Sequence, residues 1–299
     1  MQLRYFRYFV SLARLRHFAR AADECGVTQP TLSAGLTALE KELGWRLVER
    51  DRRFIGLTEQ GEALLPWAQQ ILGTMLGMQH AVGGAGESIA GEFRLACVPA
   101  ALPMVGHFGE VLLRSNPGVT LSVHSRTSRE IVRGLNALEY DAGMTYLEGL
   151  PADLAAVPIH SERYCFLVRR GTCPDDQGTI GWADLVDWPL CLLHPDMQFR
   201  QILDAHLQSE GVAVMPRMIA DSFTALLGMV RDGGLATIVP EGYAGLLEGV
   251  GWAHVLRFDH VETARAIGLV LVDRALLTPL ANAGLTAARS LSSPDLALP

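Results

Sequence analysis

The feature of this sequence that most constrains its fold is a pair of helical patterns joined by a tight turn, within residues 18–43. The first pattern ends at Cys25, and Gly26 follows it as a glycine just past a helix terminus usually does. A second helix is predicted to begin near Gln29, because Thr28 can cap it and Pro30 lies in its first turn, where a missing N–H costs nothing. Leucines three and four residues apart give this second helix one buried stripe: Leu32, Leu36, Leu39 and Leu43.

The face opposite that stripe carries short polar side chains, which suits a helix that enters the major groove of DNA. The groove is about 12 Å wide and admits a helix whose leading residues present hydroxyl or amide edges to the bases. The predicted DNA contacts on this helix are Thr28, Gln29, Pro30, Thr31, Ser33 and Thr37. The alternative is a small helical hairpin that never contacts DNA.

Residues 44–58 predict a wing, which is two short strands around a charged tip at 51–53. Arg52 and Arg53 are placed there to contact phosphates or to enter a minor groove. The alternative for the arginines of this stretch is ion pairing with neighbouring glutamates on a solvated face.

The charge of the chain is divided unevenly between its two parts. The formal net charge is −7, yet residues 1–58 hold ten basic and six acidic side chains. Attraction to phosphate decays over about 10 Å in physiological salt, so the local excess of positive charge is the relevant quantity. An acidic chain with a basic first segment is therefore compatible with double-stranded DNA as a partner.

Several segments of the first 72 residues resemble the N-terminal signature of LysR-type transcriptional regulators. They are Ala21-Ala22, 27–33, 39–44, Leu47-Val48-Glu49-Arg50 and 57–61. The resemblance implies a homodimer or homotetramer of winged helix-turn-helix subunits, each followed by an effector-sensing domain, with RNA polymerase as a further candidate partner. Most relatives carry Arg-Gln after the serine, whereas Ala34-Gly35 stands here, so a contact usual in the family is expected to be absent. Residues 52–58 with Trp67-Ala68 also resemble a LysR subgroup associated with genes of formate or cyanate metabolism.

Residues 59–82 predict one long linker helix with Thr58 as its cap. Its apolar residues repeat at alternating spacings of four and three, which is typical of a helix that pairs with a partner helix. The predicted dimerisation seam is Leu64, Ala68, Ile71, Met75, Met78 and Val82. Pro66 is expected to bend the helix, and glycines at 83–86 are expected to form a hinge. The alternative is that the stripe packs against the chain's own wing or effector domain.

Strand and helix patterns alternate from residue 91 to 290, which predicts an α/β domain with largely parallel sheets. Two subdomains joined by a double crossover near 160–163 and 260–265, like a periplasmic binding protein, fit the pattern better than one. The predicted organisation is therefore an N-terminal winged helix-turn-helix at 1–58, a linker helix and hinge at 59–87, and an effector domain at 88–299. Subdomain I comprises 88–161 and 265–299, and subdomain II comprises 162–264.

A ligand of such a domain is expected in the cleft between the subdomains, where helix N-termini offer free N–H groups. The predicted effector-binding residues follow strands or open helices: Pro99, Ala100, Ala101, Thr127, Ser128, Thr145, Met197, Phe199 and Ser222. Hydroxyls and bare helix N-termini favour a small organic anion. The alternative for Thr127, Ser128 and Ser222 is plain helix capping, and His194 and Arg200 are more often surface or ion-paired residues.

Other function classes receive little support from the sequence. It contains no GxSxG, HExxH or glycine-rich phosphate loop, so no enzyme activity, metal site or cofactor is expected. A solute-binding protein would explain only the second half of the chain and would need an export signal, whereas a cytoplasmic location is expected. The rival within the regulator class is a thiol sensor using Cys97 or Cys165, although both lie in apolar strand patterns that favour a buried, inert thiol.

Overall fold

The computed structural model describes residues 2–50, 54–83, 89–174, 176, 178–259, 264–273 and 277–292. Its first unit is the predicted winged helix-turn-helix followed by the linker helix. The elements are α1 (Leu3–Leu15), α2 (Phe18–Cys25), α3 (Gln29–Leu43), β1 (Val48–Arg50), β2 (Phe54–Leu57) and α4 (Glu59–Gly83). The strands of the wing pair antiparallel, and α4 continues through Pro66. The wing tip at 51–53 and most of the predicted hinge lie outside the described residues.

The predicted caps of these helices are confirmed. Gly26 ends α2 in the left-handed conformation, with φ of 69°. The Thr28 side chain accepts a hydrogen bond from the backbone N–H of Thr31 at 3.4 Å, and Thr58 accepts one from that of Gly61 at 3.0 Å. The leucine stripe of α3 faces a core that it shares with Phe9, and Leu32 and Leu39 are fully buried there.

The second unit is an α/β domain whose first sheet has five strands. Its elements are β3 (Ala90–Cys97), α5 (Val105–Ser115), β4 (Gly118–Ser125), α6 (Ser128–Asn136), β5 (Ala142–Tyr146) and β6 (Leu154–Glu162). The sheet order is β4-β3-β5-β13-β6, so a strand from the end of the chain, β13 (Arg265–Val272), completes it. The last helix, α10 (Pro279–Leu291), packs against this sheet and α5.

The second sheet of this unit has four strands, in the order β11-β7-β12-β8. The elements between β6 and β13 are β7 (Tyr164–Arg169), β8 (Thr179–Ile180), β9 (Cys191–Leu193), α7 (Gln198–Ser209), β10 (Met218–Ala220), α8 (Phe223–Gly233), β11 (Thr237–Pro240), α9 (Glu241–Leu247) and β12 (Ala253–Phe258). A parallel pair, β9 with β10, lies beside the four strands. The chain passes from the first sheet to the second between Glu162 and Tyr164.

The prediction of largely parallel sheets is wrong. β3 pairs parallel with β4 and β5, but β13 runs antiparallel to both β5 and β6, and β7 is antiparallel to both of its neighbours. The reason is the double crossover, in which the strand that leaves the first subdomain and the strand that returns to it lie side by side in opposite directions.

Among the described residues, no helix is long and apolar enough to cross a membrane.

Candidate DNA-binding surface and effector cleft

The N-terminal turn of α3 presents the predicted polar residues to solvent. Thr28, Gln29, Pro30 and Thr31 are exposed, whereas Ser33 is half-buried. The hydroxyls of Thr28 and Thr31 lie 2.8 Å apart, and the Thr37 hydroxyl donates to the backbone oxygen of Ser33 at 3.0 Å. Gln29 is exposed and has the longest side chain of the predicted contacts on this helix, so it can reach furthest toward a base. The predicted contacts Arg52 and Arg53 lie outside the described residues.

The Ala34-Gly35 pair, where the sequence departs from the family pattern, has two different roles in the structure. Ala34 is exposed beside the predicted contacts, but Gly35 is buried. A Cβ atom at Gly35 would lie 2.6 Å from Cδ2 of Tyr8 and 3.0 Å from Cδ1 of Tyr5. Real Cβ atoms do not approach other heavy atoms that closely, so α3 lies directly on the Tyr8 ring. Only Ala34 therefore stands where a longer side chain could contact DNA.

Three of the six residues in the predicted dimerisation seam of α4 pack inside the chain's own DNA-binding unit. Ala68 is fully buried, and Leu64 and Ile71 pack against the core of the DNA-binding unit. The core that they enter is formed largely by α1, with the wing as a smaller part, so these three residues stabilise their own DNA-binding unit. Pairing of α4 with a partner helix stays a prediction, because a seam for a partner helix and a face for a core have the same spacing. Of the other seam residues, Met75 is half-buried and Met78 is exposed. Trp67, which was not part of the predicted seam, is 65% exposed on the same helix. The side chain of Val82 lies outside the described residues.

Most of the predicted effector-binding residues meet at one small cavity between the two sheets. The cavity has a volume of about 10 Å³, which is room for one water molecule. Its lining includes the predicted residues Pro99, Ala100, Thr127, Ser128, Met197 and Phe199, together with Val98, Tyr146, Leu193 and Gln198. Ala101 and Ser222 are not part of this lining: Ala101 is fully buried in the core, and Ser222 is the N-cap of α8.

A chain of hydrogen bonds joins the two subdomains across this cavity. The fully buried Thr145 donates from its hydroxyl to Ser128 Oγ at 2.9 Å, and Ser128 in turn donates to Gln198 Oε1. Thr145 and Ser128 belong to β5 and α6 of the first subdomain, whereas Gln198 opens α7 of the second. The cleft is therefore closed, and a ligand larger than water must displace Gln198 to enter.

Gln198 was not among the predicted effector-binding residues, although it lies between two of them, Met197 and Phe199. The signal that could have found it is its position as the first residue of α7, directly after Met197. That helix has no side-chain cap and no acidic residue in its first turn. Its first N–H groups are therefore left for a ligand with partial negative charge.

The other polar groups around the cleft have partners of their own. Thr127 and Glu130 form a reciprocal capping box at the start of α6, and the hydrogen bonds from Thr127 lower the pKa of Glu130. Tyr146 donates to Glu162 Oε1 at 2.6 Å, and burial next to that carboxylate raises the pKa of Tyr146 well above its usual value. His194 pairs with Asp196 and Arg200 with Asp204, each at 2.7 Å, in line with the predicted ion-paired role.

The thiols are mostly buried, as the sequence suggested for Cys97 and Cys165. Burial raises the pKa of Cys97 to about 12 and that of Cys191 to about 11, which leaves almost no reactive thiolate at neutral pH. Cys25 and Cys173 are half-buried. The Sγ atom of Cys173 lies 3.7 Å from Nδ1 of His254, so this half-buried thiol has an imidazole beside its sulfur.

The DNA-binding unit and the effector domain each match the model of a known protein family. Residues 3–62 match the family described as bacterial regulatory helix-turn-helix protein, lysR family. Residues 86–292 match the family described as LysR substrate binding domain. Together these matches span nearly all the elements described above.

Similar proteins include regulators of the response to hydrogen peroxide. A probable hydrogen peroxide-inducible genes activator of Mycobacterium avium is 30% identical over 88% of this chain and 86% of its own. The dual regulator OxyR of Escherichia coli strain K12 is 27% identical over 80% of this chain and 79% of its own. A full-length OxyR with a cysteine-to-aspartate substitution, from Pseudomonas aeruginosa, has a TM-score of 0.79 at 26% identity and covers 97% of this chain and 94% of its own. None of these comparisons singles out a formate- or cyanate-linked subgroup.

Proposed function

Because this chain belongs to the LysR family of DNA-binding transcriptional regulators, we propose that it binds DNA through α3 and the wing and responds to a small polar ligand in the effector cleft. In this proposal Gln29 and its neighbours on the first turn of α3 read base edges, and the wing adds phosphate contacts. Two copies joined through α4 would place two reading heads on two half-sites.

The observation that carries the effector proposal is the hydrogen-bonded bridge from Thr145 through Ser128 to Gln198. A ligand with two acceptor oxygens can take the Ser128 hydroxyl and the free N–H groups of α7, and so replace the contact that closes the cleft. The cavity of about 10 Å³ holds one water molecule, so a ligand of even three or four non-hydrogen atoms enters only by displacing the Gln198 side chain. A small organic anion such as a short carboxylate satisfies these conditions.

Such a ligand changes DNA binding only as far as it prefers one arrangement of the subdomains. A net hydrogen bond is worth about 1 kcal/mol, so exchanging the Ser128–Gln198 contact for a ligand shifts the balance between closed and open clefts by about fivefold. Further contacts of the ligand with α7 would add to this shift.

A thermal-shift assay on the full chain tests the effector proposal with formate, acetate and nitrate as named probes. At least one anion is expected to raise the melting temperature, and Ser128→Ala is expected to weaken that response. The matched control is Ser209→Ala, since Ser209 is exposed and bonds only within its own helix end. If none of the three anions raises the melting temperature, or if Ser128→Ala and Ser209→Ala show the same rise, the cleft is not an anion site.

A second candidate function is peroxide sensing, which the names of the relatives favour. The thiol that suits it is Cys173 beside His254, because imidazole can accept the thiol proton. The thiolate would then attack one oxygen of hydrogen peroxide and form the sulfenic acid as the O–O bond breaks. The leaving hydroxide would take the proton from the imidazolium and depart as one water molecule.

Peptide mass spectrometry after mild peroxide treatment, with DNA affinity measured in parallel, decides between the two candidates. Selective oxidation of Cys173 with a change in DNA affinity that Cys173→Ser abolishes would establish the second candidate. Absence of oxidation below the peroxide concentration that modifies the exposed methionines would remove it.

A further inference from the structure

A cavity much larger than the one in the effector cleft lies between the DNA-binding unit and the effector domain. Its volume is about 570 Å³, within the range of pockets that hold small organic ligands. One wall is formed by α1 and α4, with Val10, Arg14, Gln69, Gln70, Leu72, Gly73, Thr74 and Met78. The opposite wall belongs to the first subdomain and the start of α10, with Leu135, Leu138, Leu271, Leu277 and Leu280 among its apolar residues.

The walls of this cavity are held in place by contacts on the effector side. Arg94 bonds both carboxylate oxygens of Asp141, at 3.2 and 3.3 Å, and donates to the backbone oxygen of Leu138 at 3.2 Å. At the edge of the cavity α4 approaches α10 so closely that a Cβ atom at Gly73 would lie 2.9 Å from Cγ2 of Thr278. The linker helix and the effector domain therefore touch at one edge and separate at the cavity.

The charges that line the cavity balance one another. Arg94 is paired with Asp141, Arg14 is paired with Glu24, and Glu92 is exposed to solvent. The remaining lining is mostly leucine, valine and methionine. Such a wall favours an occupant without net charge, because an anion would lose its hydration and find both arginines already paired, and Glu92, the one lining carboxylate without a partner among the described residues, stays exposed to water.

One polar atom of a lining residue has no partner among the described residues, and it defines the polar contact that an occupant would make. Oε1 of Gln69 is inaccessible to solvent and accepts no hydrogen bond from any described residue, although other atoms of Gln69 line the cavity. A turn of the side-chain amide is therefore needed to bring this acceptor to the cavity. A buried acceptor without a donor costs free energy that a donor on a ligand would recover.

We propose that this cavity, lined by Gln69, Thr74 and Leu277, is a second ligand site, which takes a neutral amphipathic molecule with an apolar body and one N–H or O–H donor for Gln69 Oε1. The ligand bridges the linker helix and the effector domain, so its binding fixes their relative position. This site is separate from the effector cleft and calls for a different class of ligand.

The experiment titrates the full chain with N-phenyl-1-naphthylamine, a neutral fluorescent probe that carries one N–H donor, and follows its emission. Saturable binding of one probe per chain is expected. Thr74→Trp, which places an indole at the exposed rim of the cavity, should weaken binding by at least about tenfold. Gln69→Met, which removes the acceptor and keeps the length of the side chain, should weaken it by about fivefold.

The matched control is Ala63→Trp, which puts the same indole on an exposed position of α4 outside the cavity lining and should leave binding unchanged. Light scattering on each variant reports its oligomeric state, and a melting curve reports its folding. Binding that neither Thr74→Trp nor Gln69→Met weakens would place the probe elsewhere and overturn the proposal. Absence of saturable binding, as expected if a second copy of the chain fills the cavity, would overturn it as well.

Discussion

Replacing Gly35 by alanine should destabilise the DNA-binding unit, although alanine is the better helix former. Helix propensity alone predicts a gain of about 1 kcal/mol in the free energy of unfolding. The new Cβ atom, however, would lie 2.6 and 2.8 Å from two atoms of the Tyr8 ring, and Tyr8 is itself only 6% exposed. Pushing a buried ring aside costs about 1–3 kcal/mol, so the net change is expected to be a loss of up to about 2 kcal/mol.

A double-mutant cycle with Tyr8→Ala isolates the contact, with unfolding by urea as the assay. Without the ring, Gly35→Ala should stabilise the chain by about 1 kcal/mol, so the coupling free energy between the two positions is about 1–3 kcal/mol. The sign reversal between the two backgrounds is the expected signature. Equal stabilisation in both backgrounds would show that α3 does not lie on the Tyr8 ring, and would refute the explanation given for glycine at this position.

Three further predictions concern the DNA surface, the thiols and the pH dependence of stability. Gln29→Ala should weaken binding to selected DNA by about 1–3 kcal/mol in a gel-shift assay while the melting temperature is unchanged, and unchanged affinity would exclude Gln29 as a base contact. Because burial raises the pKa of Cys97 from 9.0 to about 12, its thiolate fraction at neutral pH is about 1000-fold lower, and iodoacetamide should alkylate it at least that much more slowly than in the urea-unfolded chain. Labelling at comparable rates would contradict its burial. The pKa of Glu130 is lowered by hydrogen bonds from Thr127, so the stability from this cap is present above the unfolded pKa of about 4.3 and is lost as the pH falls below it. Glu130→Gln should therefore flatten the melting temperature between about pH 5 and pH 3, and an unaltered pH profile would rule out this contribution.

The sequence predicted the DNA-binding unit closely because its signals are local. A cap such as Thr28 and a stop such as Gly26 act within one turn of the chain, and the leucine stripe of α3 needs only one periodicity. The direction of β13 could not be found in this way, because pairing with both β5 and β6 depends on a partner more than a hundred residues away in the chain.

The spacing of apolar residues in α4 was correctly recognised, but the spacing alone does not say which partner each residue packs against. A residue such as Ala68 looks the same in sequence whether it packs against a second copy or against α1, and the structure places it in the core of its own unit. A partner that is distant in the chain also explains why the hydroxyl residues of the cleft were predicted and Gln198 was not. Its part in the site depends on Ser128, which is 70 residues away in the chain.

A footprint of the full chain, on DNA that this chain selects from a random-sequence pool, shows directly whether a small anion in the effector cleft controls DNA binding. The footprint is recorded with no addition, with the anion that gives the largest thermal shift, and with hydrogen peroxide. The account predicts that the anion changes the length or the pattern of protection, that Ser128→Ala suppresses the change, and that Cys173→Ser does not. A footprint that changes only with peroxide, and no longer changes in Cys173→Ser, would contradict it.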